Sequence, residues 1–248
     1  MDIITSKSNS KIVEAKKLLD KKGRDKSNHF LVETEKVIKE AIACGLEPKC
    51  FYVLQGKNFD FVNQQNVPVC CISAGVFKEL STLVSPDGII AEFMQKQEPK
   101  QYFGGKFLIL DNLQNPDNFG AIMRTAAACD FKQIFTINCV DKYNPKVIRA
   151  SMGNQFKLSI IDIKTDDIST LFNNAKIYTA SMEGENIFDI NSFDQNVGFV
   201  VGNEGNGVSE EVKKMVNDTI SIPMKNSVES LNASVSASVI MYYIFSKQ

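Results

Sequence analysis

The sequence predicts an α/β protein in two parts, a small β/α unit followed by a larger domain built on a parallel sheet with helices on both faces. Three observations predict it. Apolar strand-like runs alternate with helical segments from residue 106 onward, a breaker-rich stretch interrupts the chain at 95–105, and three of the later strands run into polar or glycine-rich loops. With 248 residues and 44% hydrophobic content the chain is long enough for two cores.

Taken in order, a helical pattern at about 8–22 gives way to the strand-like His29-Phe30-Leu31-Val32, and a helix from Glu35 to Cys44 is closed by Gly45 as its C-cap. Strands follow at Cys50–Leu54, Val67–Ile72 and Gly88–Phe93, with a short helix near 74–82. Residues 95–105, Q-K-Q-E-P-K-Q-Y-F-G-G, have the composition of an interdomain linker, so the domains are drawn at 1–94 and 106–248. The second domain carries strands at 106–111, 133–138, 157–162, 176–180, 197–201 and 219–222. Helices are expected between and after them at about 118–129, 144–151, 167–173, 208–215 and 231–246. Strands separated by helical segments argue for a parallel sheet covered on both faces.

Composition removes several classes of chemistry. There is one histidine, His29, so neither a histidine metal cluster nor a catalytic triad can be assembled, and no metal is expected. The six cysteines form no C-x-x-C pair and lie mostly in apolar stretches, as reduced buried thiols do. The N-terminus lacks the apolar core of a signal peptide and no run approaches the roughly 20 apolar residues of a membrane helix, so a cytoplasmic protein away from membranes is expected. A net charge of −1 leaves no overall basic footprint, but residues 1–30 hold eight Lys/Arg against four acids. That segment is either a solvated helix face or a phosphate-binding surface.

Three segments of the second domain carry polar residues that a scaffold does not need. In the first, Asp111 to Ala126, a strand end passes through a polar loop into an alanine-rich helix; at the C-terminal edge of a strand such a loop faces the ligand crevice of an open α/β sheet. Asn118 suits a helix cap there, whereas Arg124, one to two turns into the helix, is placed to reach a phosphate or a reacting hydroxyl. The second is Val200 to Val208, a buried strand ending in Gly202, Gly205 and Gly207; it is off-pattern for a dinucleotide loop, which follows the first strand. The third runs from Ile220 through Ile222-Pro223-Met224 to Ser236. Ser230 and Asn232 are cap types, and Leu231, Val235 and Val239 keep the helical spacing of a core face.

In this order the segments resemble the three motifs of the SpoU (TrmH-type) family of SPOUT RNA methyltransferases: N-x-G-A-x-x-R-T-A at Asn118 to Ala126, G-N-E-G-x-G-V at Gly202 to Val208, and I-P-M followed by S-L-N-x-S-V-A at Ile222 to Ala237. Ala237-Ser238 is slightly more polar than the family's usual helix, and Asn144 to Gly153 is similar to the family's loop before the middle strand. The resemblance covers roughly the last 140 residues. It implies a parallel-sheet methyltransferase domain tied in a deep trefoil knot, which no pattern in the residues would suggest. The N-terminal unit is similar, by order and pattern, to the family's small α/β RNA-binding domain.

The resemblance further implies an S-adenosylmethionine-dependent RNA 2′-O-methyltransferase, with ribosomal RNA favoured over transfer RNA, acting as a homodimer. Arg124 would orient or deprotonate the ribose hydroxyl, supported by Asn118, Glu204, Ser230 and Asn232. Gly202, Asn203, Gly205, Ile222, Pro223, Met224 and Leu231 would hold the cofactor. A guanidinium is ordinarily locked in its protonated form, which favours positioning and charge stabilisation over base catalysis. Met241, Tyr242, Ile244 and Phe245 on the last helix offer an apolar dimer surface. Two rivals are a nucleotide-dependent oxidoreductase, opposed by the late glycine loop, and a non-catalytic RNA-binding protein of the same fold, opposed by intact Arg124, Glu204 and Asn232.

Overall fold

A computed structural model describes residues 2–216, 218–225 and 230–247, with Met182 described by its backbone alone. Positions 226–229 of the third segment lie outside the described residues. The elements are α1 (Ser10–Lys17), α2 (Lys21–Ser27), β1 (His29–Glu33), α3 (Glu35–Ala43), β2 (Pro48–Leu54), β3 (Val69–Ile72), α4 (Ala74–Leu80) and β4 (Ile89–Met94). After these come β5 (Lys106–Asp111), α5 (Pro116–Ala128), β6 (Gln133–Ile137), α6 (Pro145–Ser151), β7 (Ser159–Asp162), α7 (Asp167–Leu171), β8 (Lys176–Asn186), β9 (Val197–Val201), α8 (Glu210–Lys213), β10 (Asp218–Ser221) and α9 (Ala233–Ser246). The chain divides into two compact units, residues 1–97 with 141–156, and residues 98–140 with 157–248.

In the first unit four strands lie in the order β1-β4-β2-β3, antiparallel except for β2 and β3. Alternation sends Phe30, Val32, Phe51, Val53, Ala91 and Phe93 to one face and Leu31, Cys50, Tyr52 and Ile90 to the other. The second face is covered by Ile12, Ala15, Val76, Phe77 and Leu80 of α1 and α4. The first is covered by Val37, Ile38 and Ala41 of α3 together with Tyr143, Ile148 and Phe156, which explains why 141–156 belongs to this unit and not to the domain that the sequence assigns it to. The Phe30 ring lies 4.4 Å from that of Tyr143 and 5.9 Å from that of Phe156.

The single helix expected at 8–22 is two helices, broken at 18–20. Arg24 accounts for the break: 2% exposed, it donates from Nη1 to the carbonyls of Leu18 and Leu19, each at 2.8 Å, and from Nε to Asp141 Oδ2 at 2.7 Å. These carbonyls are the orphans at the end of α1, so the guanidinium caps one helix from inside the next. Arg24 therefore drops out of the basic surface read from residues 1–30. Lys16 and Lys7 are also engaged, since their ammonium groups hydrogen-bond Glu79 and hold its carboxyl down to about 2. Lys17 pairs with Glu14. His29 opens β1 with Nδ1 2.7 Å from Glu92 Oε1, and all six cysteines are free thiols.

The second unit is a six-stranded parallel sheet in the order β10-β8-β9-β5-β6-β7. Phe107, Ile109, Phe135 and Val200 point to one face, against Ile168, Phe172, Val208 and Val212. The other face lies under α5 and α9, which meet through Thr125 Oγ1 and Ser238 Oγ at 3.0 Å. On β8 the ladder to β10 jumps from Thr179 to Glu185, leaving residues 180–184 outside it. Gly184 permits the return, because a Cβ there would stand 2.5 Å from the Ile220 backbone.

The α9 face named as core is reversed. Leu231 is 37% and Val235 48% exposed, while Ala237, Ile240, Met241 and Ile244 are buried. Met241 and Ile244 are thus intramolecular core and not the dimer surface expected of them: the serines and apolar residues of α9 are mixed around the helix, and the side that carries Ser238 packs on α5. No helix among the described residues is long and apolar enough to cross a membrane.

Replacing Arg24 by Met should leave the part-buried Asp141 without its cation and the carbonyls of Leu18 and Leu19 unsatisfied, costing about 3 kcal/mol. Urea unfolding of the variant with an unchanged midpoint would show that the α1–α2 break does not depend on this side chain.

Candidate active site

The three polar segments converge at the C-terminal ends of β5 and β9 and at the start of α9. Asp111 closes β5 fully buried; its carboxylate accepts from Ser209 N and from Asn112 Nδ2, both at 2.7 Å, joining the first loop to the second. Asn115, not Asn118, caps α5, accepting from the backbone N–H groups of Asp117 and Asn118. That leaves the Asn118 side chain, in the first turn, available for other partners.

The glycine loop is fastened to itself. Asn203 and Gly207 exchange two backbone hydrogen bonds of 2.9 Å, and Asn203 Oδ1 accepts from Gly205 N at 2.9 Å and Asn206 N at 3.2 Å. A Cβ on Gly202 would stand 2.1 Å from the Gly207 carbonyl carbon, and Gly207 has φ +67°. The close approach that needs glycine here is therefore loop to loop. Asn203 Nδ2 also donates to Asn112 O at 2.9 Å, so the turn presents Glu204 at a fixed place.

Asn118 then connects the segments. Its Nδ2 donates to Glu204 Oε1 at 2.9 Å, and its Oδ1 accepts from Asn232 Nδ2 at 3.0 Å. Asn232 caps α9, its Oδ1 accepting from Ser234 N at 2.9 Å and Val235 N at 3.4 Å. Asn118 is 7% exposed, whereas Glu204 and Asn232 face solvent.

The structure thus brings Asn118, Glu204 and Asn232 together and leaves Arg124 and Ser230 outside their hydrogen-bond chain. Arg124 projects from another side of α5, since six residues amount to about one and two-thirds turns. It is exposed, and among the described residues no ion pair or hydrogen bond engages its guanidinium. Ser230 lines an adjacent cleft of about 140 Å³ with Ile222, Met224 and Leu231. Ala180, Ser181, Ile220 and Ser236 are the other described residues along its walls. Gly202, Asn203, Gly205 and Pro223 are not among the lining residues. Ala180 and Ser181 carry no sequence signal; they reach the cleft because the ladder breaks after Thr179. Among the described residues no group of three or more His, Cys, Asp or Glu is placed to hold a metal ion.

The substitution Asn118→Asp should set a second carboxylate against Glu204 and remove the donor between them, costing about 1–3 kcal/mol at neutral pH. The deficit relative to the parent protein should shrink in acid, where one carboxylate takes a proton. A denaturant-derived deficit that stays constant from neutral to acidic pH would contradict donation from the Asn118 amide to the Glu204 carboxylate.

Comparison with known proteins bears on the family and the fold. Residues 105–242 match the model of the SpoU rRNA methylase family, and residues 9–91 match the MRM3-like substrate binding domain. An uncharacterized tRNA/rRNA methyltransferase of Synechocystis is 30% identical, the alignment covering 96% of this chain and 92% of that protein. The 23S rRNA (guanosine(2553)-2′-O)-methyltransferase RlmP of Bacillus subtilis is 25% identical, over 98% and 99% of the two chains. In fold the chain is similar to the SpoU methyltransferase AviRb of Streptomyces viridochromogenes, solved in complex with AdoMet, with a TM-score of 0.89 at 21% identity, covering 96% of this chain and 98% of that one. The three motifs, their meeting point and the family match over more than half of its length make this chain a member of the SpoU rRNA methylase family.

Proposed function

We propose that the protein transfers a methyl group from S-adenosylmethionine to a ribose 2′-hydroxyl of RNA. Ribosomal RNA is the favoured substrate, on the likeness to the Bacillus enzyme, with transfer RNA the alternative to test. The observation that carries the reading is the Asn118–Glu204–Asn232 chain, which joins one residue from each motif beside a cleft lined by the third.

The cleft suits the cofactor chemically. Ile222, Met224 and Leu231 present apolar groups for an adenine ring and the methylenes of the methionine chain, and Leu231 is 37% exposed. Ser181, Ser230 and Ser236 add hydroxyls at its walls. When bound, S-adenosylmethionine supplies a methyl group already activated by its sulfonium.

The ribose hydroxyl is a weak nucleophile at neutral pH, so the residues around it chiefly have to align it and ease the loss of its proton. Arg124, exposed and unengaged by the described residues, is the group assigned to that hydroxyl and to a neighbouring phosphate, as a positioning cation. Glu204 and Asn232, linked through Asn118, keep the glycine loop and the start of α9 at a fixed separation. The protein is further proposed to act as a homodimer through the exposed face of α9, where Leu231, Val235, Tyr242 and Phe245 stand 37–53% exposed.

Arg124→Ala should abolish methyl transfer to RNA, a loss of at least about a hundredfold, while calorimetry of the full chain gives an S-adenosylmethionine affinity near that of the parent. Equal loss of binding and transfer would move Arg124 into the cofactor site. Sedimentation should give a mass twice the 27.6 kDa of one chain, reduced to a single chain by Val235→Glu; a stable monomer of the parent protein at micromolar concentration would remove the dimer.

A further inference from the structure

The first unit holds a cavity of about 150 Å³ between β1, the start of α3, the turn at 82–83 and α6. Its walls are apolar, built from Leu31, Val37, Leu83, Pro145, Ile148 and Met152. At its rim stand Lys36 and Arg149, both exposed, and no described residue forms an ion pair or a side-chain hydrogen bond with either. The one acid among the described lining residues, Glu33, is occupied. Its Oε1 accepts from Thr82 N at 2.9 Å and Thr82 Oγ1 at 2.6 Å, and its Oε2 from Ser81 Oγ at 2.6 Å. Beside Leu83, Val84 is wholly exposed.

Thr34, also at the rim, has φ +74°, a costly conformation for a β-branched residue and one that tends to persist at ligand sites. It caps α3 through Oγ1 and so fixes the turn that carries Lys36.

We propose that this cavity receives one unstacked base of single-stranded RNA while Lys36 and Arg149 hold the flanking phosphates. A dry apolar cavity of about this volume accepts a single aromatic ring. A purely apolar ligand would have no use for two unpaired cations, whereas a nucleotide presents a flat apolar face and an anion together. Bases splayed from a strand are taken up in this way, on apolar side chains and guanidinium planes. The inference rests on the reading of RNA as substrate, and gives the matched substrate-binding domain, with α6 added to it, a specific point of capture.

The test uses the full chain and short single-stranded oligouridylates, read by fluorescence anisotropy at several salt concentrations. Lys36→Glu with Arg149→Glu should weaken binding and flatten its salt dependence. Leu83→Trp, which fills the cavity, should weaken binding about tenfold, the loss of one stacked base, yet leave an oligonucleotide of the same length without bases unaffected. A photoreactive 4-thiouridine oligonucleotide should attach to residues 31–37, 82–83 or 145–152. Leu83→Trp binding both probes as the parent does, or attachment only elsewhere, would overturn the proposal; a loss that is equal for both probes would reduce the site to a phosphate patch and overturn it too. A parent protein that ignores both probes but binds an apolar peptide, in a manner that Leu83→Trp blocks, would identify a protein partner instead and likewise overturn it. If Leu83→Trp lowers the thermal midpoint, the parent protein's preference for the oligonucleotide with bases and the attachment sites decide. Methyl transfer is followed separately: a parent protein that methylates no RNA but passes these tests refutes the reading of the reaction alone.

Discussion

A carboxylate can only accept hydrogen bonds, and two backbone N–H groups can only donate them. Between Glu204 at one end and the first turn of α9 at the other, the amides of Asn118 and Asn232 are therefore left a single orientation each. This directionality lets residues far apart in sequence hold one geometry. Behind it, the buried Asp111 carboxylate receives Ser209 N and Asn112 Nδ2, and Asn203 reaches Asn112 O, so the glycine loop is braced from below as well as across. The β5 and β9 strands that carry these loops are adjacent and parallel, which places both strand ends at one edge of the sheet.

The constraint divides the candidate site into a fixed part and an open part. Asn118, Glu204 and Asn232 satisfy one another, whereas Arg124 and the apolar wall at Ile222, Met224 and Leu231 face outward with surface to spare. Groups that are already satisfied serve as frame, and groups left unsatisfied are the ones available to ligands.

Much of this is legible in the residues. The alternation of strand-like runs with helical segments reads as a parallel sheet, and polar residues at strand ends mark the site. What escapes depends on contacts distant in sequence. Asn118 suits a cap by type, but Pro116 starts the helix and leaves the cap to Asn115; that Asn118 then turns to the Glu204 carboxylate is a contact distant in sequence. The serines and apolar residues of α9 are mixed around the helix, so no single apolar stripe marks its buried side and the spacing of Leu231 and Val235 points to the wrong face. The break in the β8 ladder, which brings Ala180 and Ser181 to the cleft, rests on Gly184 lying against the Ile220 backbone. Nor could the ring of Phe30 announce that Tyr143 and Phe156 would cover it.

That last contact bears on how the molecule is made. A nascent chain that has emerged as far as residue 97 holds every strand of the four-stranded sheet, but one face of it still lacks Tyr143, Ile148 and Phe156, and Arg24 still lacks Asp141. During synthesis the amino-terminal segment must wait, with aromatic surface open to water, until β5, α5 and β6 have passed through the ribosome and the segment after them is delivered. Its completion is thereby tied to translation of the neighbouring domain, and a pause between residues 97 and 156 would lengthen the interval in which the first sheet is prone to association with other chains.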